Sequence, residues 1–123
     1  MSYTFEYNDK EVWSPNRDVS LCFLWQVRHL EEQLDVKSGL NEFMSDTIEI
    51  DFEKLELFFC QLVGWANLEH VSMRLLLKGV CVHLLALLLC AIELPDILKT
   101  SVPQDWIDDA STVASRSMTA LVR

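Results

Sequence analysis

Between Leu75 and Leu94 the chain reads LLLKGVCVHLLALLLCAIEL, and fourteen of those twenty residues are Leu, Val, Ile or Ala. Lys78 and His83 are the only strongly polar side chains before Glu93. No polar face emerges at helical spacing, so the stretch predicts either a helix buried all round or a membrane span. The flanking segments are half polar and amphipathic. Phe23, Val27, Leu30 and Leu34, widened by Val19 and Leu24, predict a first helix over about 15–37. Ser14-Pro15 or Asp18 would start it and Gly39 would end it. Leu55, Phe58, Phe59, Leu62 and Ala66 predict a second over about 52–66, capped by Asp51 with Glu53 in the first turn. The apolar run belongs to a third, about 68–93, with Asn67 as its cap, Gly79 as a packing point or kink, and Pro95 as its stop. Pro95 to Thr100 has room for one turn. Ile107, Ala110, Ala114, Met118 and Leu121 predict a fourth helix over about 103–121, packed on the third. Asp105, Asp108 and Asp109 near its start and Arg116 and Arg123 near its end suit the helix dipole.

Two stretches break the helical period. Tyr3, Phe5 and Tyr7 alternate, then Asn8-Asp9-Lys10 offers a turn before Glu11-Val12-Trp13. This predicts a small hairpin or extended arm lying on the helices. Asn41 to Ile50 is polar, with Phe43, Met44, Ile48 and Ile50 as anchors, and reads as a connection with room for a short helical turn. The expected fold is all-α: one domain over 1–123, an antiparallel four-helix bundle around the central apolar helix at about 68–93. Trp25 falls on the far face of the first helix, where the arm or a second helix is expected to cover it; otherwise it is an exposed anchor for a partner.

Composition narrows the choice between water and membrane. Val80 to Ile92 spans thirteen residues, and extending it meets Lys78 and Arg74 on one side and Glu93, Pro95 and Asp96 on the other. A lysine at a bilayer centre costs roughly 2.5 to 3.5 kcal/mol, so the buried helix is the preferred reading and no membrane partner is expected. Met1 to Trp13 is polar and acidic, without the apolar run of a secretory leader. Cys22, Cys60, Cys81 and Cys90 sit singly in apolar segments, unlike a zinc framework. They read as core thiols in a reducing cytoplasm.

Charge then separates the functional classes. The chain carries −9, and residues 1–56 hold thirteen acids against five bases while residues 57–123 hold six against five. That balance excludes direct contact with nucleic-acid phosphates and opposes anionic membranes. HExxH, ExxH and glycine-rich phosphate loops are absent, and His83, among leucines, reads as a core or inter-helix histidine bonded to a carbonyl. Glu32 with Asp35, and Glu53 with Glu56, are i, i+3 pairs. If they faced each other they would suit magnesium, a likeness to all-helical nucleotide pyrophosphatases that is limited to the spacing. No cofactor or metal is expected. The densest cluster is Glu42, Asp46, Glu49, Asp51, Glu53 and Glu56, against Lys54 alone, with Phe43 and Met44 interleaved. Either the apolar members anchor the connection to the core, or the cluster is a partner site with apolar anchors in a negative field. The favoured expectation is a small acidic cytoplasmic binding protein that covers and inhibits a basic surface of a partner, such as a toxin or nucleic-acid-acting enzyme. Immunity proteins, antitoxins and phage inhibitors are analogous as a class. The alternatives are a magnesium-dependent hydrolase and a structural subunit of a homo-oligomer, a homodimer included.

Overall fold

Two β-hairpins carry the architecture, and each begins in local turn chemistry. In a computed structural model of the protein, which describes residues 2–121, β1 (Thr4–Tyr7) and β2 (Lys10–Trp13) are antiparallel. They are joined by Asn8 and Asp9, both at positive φ (49° and 65°). Two such residues match the right-handed twist of the strands on either side. β3 (Leu40–Met44) and β4 (Thr47–Ile50) form the second hairpin. Ile48 and Ile50 are buried and Glu49 between them points outward, the period of a half-buried strand. β1 pairs in parallel with β4, with Phe5 opposite Ile48. The result is one four-stranded mixed sheet in the order β2-β1-β4-β3.

The all-α four-helix bundle is therefore wrong. The protein is mixed α/β, with this sheet and, among the described residues, five helices. Residues 41–50 are a hairpin and not a connection with a helical turn, and the N-terminal hairpin joins a sheet instead of lying on helices. The physical reason is that each hairpin supplies an edge the other satisfies, a pairing between segments some forty residues apart. Trp25 records the difference: the hairpin is engaged in the sheet, and this side chain, which it was expected to cover, is 69% exposed.

The helices follow the sequence pattern more closely. α1 (Arg17–Leu34) is capped by Asn16, whose side chain accepts from Val19 N at 3.0 Å. It ends at Asp35 in the left-handed region, a turn before the expected glycine. α2 (Phe52–Leu68) starts at Asp51, which accepts from Lys54 N at 3.2 Å. α3 (Val71–Leu89) is the central element, with Leu84 to Leu88 all buried. By length and composition α3 would cross a membrane, but half of it is buried inside the fold. α4 (Asp96–Ser101) is the short turn after Pro95. α5 (Gln104–Ser117) packs on α3 through Trp106 and Ala110. Arg123 lies outside the described residues.

Helix α5 stops short of the expected 121 because the chain changes partner. Thr119 N donates to Val12 O at 2.8 Å, and Met118 bridges Trp13. The C-terminal segment thus covers the β2 edge, while β3 forms the other edge of the sheet. An aromatic cluster seals the sheet to the helices: Phe5 and Trp13 centroids are 5.0 Å apart, and Phe23 stands edge-on to both.

Candidate functional site

The β3–β4 hairpin gathers part of the acidic cluster at the sheet's edge. Glu42, Phe43, Met44 and Asp46 are all exposed, and Phe43 and Met44 each show 63% of their surface. Of the apolar residues in this segment, Ile48 and Ile50 anchor it to the core and Phe43 and Met44 do not. The register slips between Glu42 and Met44. A bulge and charged residues are usual protections of a free strand edge.

The remaining members of the cluster are divided among other tasks. Glu49 accepts from Asn8 N at 3.3 Å, which ties the two hairpin ends together. Asp51 caps α2 and Glu53 sits in its first turn. Glu56 is half-buried on α2, close enough to Cys60 to help burial push that thiol's pKa up. Of the eight expected residues, Glu42, Phe43, Met44, Asp46 and Glu49 share the hairpin, and Asp51, Glu53 and Glu56 belong to α2. The two i, i+3 pairs do not converge: Asp35 is the left-handed end of α1. Among the described residues no three His, Cys, Asp or Glu side chains come together as a metal cluster would need.

The sheet adds two acids that linear reading did not join to the cluster. Glu11 pairs with Glu6, Glu6 with Glu49, and Glu49 with Asn41. Residues directly opposite on neighbouring strands share a face, so three glutamates stand in one row across β2, β1 and β4. This face is opposite the one that buries Phe5 and Ile48. Like charges at this spacing are unfavourable, and a cationic surface laid across them would relieve it. The alternation of Glu6 with Phe5 and Tyr7 held the signal for one strand. The row itself needs the register of three.

Elsewhere, Lys78, Cys81, Cys90 and His83 are accounted for by their structural surroundings. Lys78 donates to Asp105 at 2.9 Å and lies 3.2 Å from Asp109, so its pKa is raised, and α5 supplies the counter-charges for the one lysine of α3. Burial pushes the Cys81 thiol up to about 12, and the Cys90 thiol is raised for the same reason. Such thiols are poor nucleophiles at neutral pH. His83 is half-buried and not a core or inter-helix histidine: its Nδ1 lies 2.8 Å from Gly79 O of its own helix.

Fold and surface together define a small α/β protein that shows solvent an acidic sheet face and an edge strand with exposed apolar side chains. The chain belongs to the DUF6086 family, a family of unknown function, whose model matches residues 1–120. No curated protein and no solved structure matches it.

Proposed function

We propose that the protein is a non-catalytic binding protein that lays its acidic sheet face and β3–β4 hairpin against a basic surface of a partner protein. In this reading it covers and inhibits that partner, in the manner of immunity proteins, antitoxins and phage inhibitors, and works in the cytoplasm without a cofactor. The observation that carries the reading is the exposure of Phe43 and Met44 at the sheet edge, beside Glu42 and Asp46. Large apolar side chains held out of the core supply the contact area of a binding hot spot. The surrounding carboxylates supply long-range attraction for lysine and arginine. The four free cysteines support a reducing compartment.

The test begins with affinity capture from the native host, followed by binding kinetics on the captured partner at two salt concentrations. Glu42→Lys with Asp46→Lys should slow association about tenfold at low salt and flatten its salt dependence. Phe43→Ala should act on dissociation instead. Asp96→Lys with Asp108→Lys makes the same charge change on α4 and α5 and should do less. Stability should barely move in either double variant, since exposed charges contribute little. A partner bound equally by all variants, without salt dependence, would refute the acidic interface. One observation favours the homo-oligomer as a second reading: Leu68, Val71, Leu75 and Leu76 are all exposed around the α2–α3 junction. Sedimentation across a concentration series would reveal self-association through that patch.

A further inference from the structure

The helical layer leaves an apolar face uncovered where α2 gives way to α3. Residues 67–72 are exposed without a break, and Leu68, Leu75 and Leu76 show 88%, 68% and 76% of their surface. Ser72, Leu75, Leu76 and Gly79 share one side of α3 by their three- and four-residue spacing, and all four are exposed. The packing point expected at Gly79 is not filled from within the chain, since a Cβ built there meets nothing within 4 Å. Beside the leucines lies a hollow lined by Val71, Arg74, Leu75, Pro103, Asp105 and Trp106. A twofold contact needs projecting side chains and a hollow on the same patch, because each copy supplies both parts.

Charge selects the occupant. Between Gln61 and Val80 the only charged residues are Glu69, Arg74 and Lys78, in a chain that carries −9 overall. Two such chains meet with less repulsion here than at the acidic sheet. Lys78 is held by Asp105 and Asp109, whereas among the described residues neither Glu69 nor Arg74 forms an ion pair. In sequence, Glu69 and Arg74 are centred between Val71 and Ser72, and so are Leu68 and Leu75. One antiparallel crossing at that point therefore opposes acid to base and leucine to leucine together.

We infer that the α2–α3 junction is the interface of a homodimer in which two copies cross antiparallel at Val71-Ser72, with Leu68 of each on Leu75 of the other and Glu69 of each facing Arg74 of the other. This rests on the homo-oligomer reading and adds to it the interface and its register. An apolar centre with few charges suits a contact between identical subunits. α2 is seventeen residues long, about 25 Å at 1.5 Å per residue, and the β3–β4 hairpin lies at its other end. The dimer thus leaves both acidic hairpins free and presents two of them, so self-association and binding of a basic partner are compatible.

The experiment is sedimentation of the full chain across a concentration series at low and high salt. The native chain should pass reversibly from monomer to dimer. Added salt should strengthen the dimer, since it screens the repulsion of two acidic chains more than it weakens exposed ion pairs. Leu75→Ser with Leu76→Ser should weaken it at least about tenfold while circular dichroism stays native. At low salt Glu69→Arg and Arg74→Glu should each weaken it about tenfold by opposing like charges, and the two together should restore it. A native chain that stays monomeric up to about 1 mM would overturn both this inference and the homo-oligomer reading. A dimer that survives the leucine substitutions, or that the double swap fails to restore, would overturn the inference alone. Neutral phosphatidylcholine vesicles are the remaining probe: a monomeric chain that co-sediments with them, and ceases to when the leucines are replaced, would make the occupant a bilayer and would also overturn it.

Discussion

Glu31 accepts from Arg28 at 3.0 Å and from the backbone N and hydroxyl of Ser38, both at 2.8 Å. Burial by itself pushes its pKa up, but the bonds from Ser38 and Arg28 together outweigh burial and hold the carboxyl below its ordinary value of 4.5. The stabilisation is therefore complete above pH 4.5 and is lost as pH falls through the lower folded value. We expect Glu31→Gln to cost about 1.5 to 3 kcal/mol at pH 7, the worth of hydrogen bonds to a charged group. The difference from the native chain should shrink on acidification below pH 4.5. Urea titrations of both proteins across pH 3 to 7 would check this, and a gap independent of pH would mean the carboxylate charge is irrelevant. Gly39, the residue after Ser38, has φ 82° and a Cβ position 2.5 Å from Asp51 O. Both the left-handed backbone and the overlap oppose a side chain. Gly39→Ala should cost about 2 to 4 kcal/mol, read from the same titrations. A change under half of that would show that the turn into β3 can relax.

α3 is the element through which the helical layer is assembled. Its C-terminal half is buried, α3 packs chiefly against α2 and α5, and Leu85 and Leu88 have no exposed surface. Each should cost about 2 to 5 kcal/mol on replacement by Ala, measured by chemical denaturation. Values near zero would place these side chains against a second subunit or lipid. The N-terminal half is different, for Leu75 and Leu76 are exposed and Lys78 reaches across to Asp105 and Asp109 on α5. The lysine that interrupts the apolar run is thus an inter-helix tie. The aspartates that suit the start of α5 by dipole have this second role, which explains why Asp109 is unsuitable as a neutral control for charge reversal.

At the scale of the molecule, charge and architecture coincide. The two hairpins, α1 and the start of α2 fall within residues 1–56, where thirteen acids meet five bases. The two hairpins hold Glu6, Asp9, Glu11, Glu42, Asp46 and Glu49 against Lys10 alone, so negative charge is denser on the sheet than in the helical layer, which is also acidic. The β2 edge of the sheet is covered by the segment at Met118 and Thr119, while β3 presents carboxylates, a bulge and two exposed apolar side chains. Charge on an edge strand serves first to prevent unwanted pairing. The same arrangement admits a partner whose cations neutralise it, and the charge-reversal kinetics address that difference directly.

Much of the helical layer was legible in the residues. The Asp51 cap, the burial of Leu84 to Leu88, the turn after Pro95 and the α5 stripe depend on neighbours three and four positions away, so a linear pattern contains them. The Asn8-Asp9 turn was local in the same sense. The sheet was not legible, because its central contact, Phe5 opposite Ile48, joins hairpins that alone look like an arm and a connection. A short strand has no stability to announce until its edge is paired. From that pairing followed the exposure of Trp25, the use of Gly39, the early end of α5 and the row Glu11, Glu6 and Glu49, whereas the expected Asn67 cap of a helix over 68–93 failed locally, since α2 runs on to Leu68 and His70 caps α3 over 71–89. The candidate site divides along the same line. Which residues are acidic or aromatic is written in the chain, but whether Phe43 faces the core or a partner is decided only when the strands take their register.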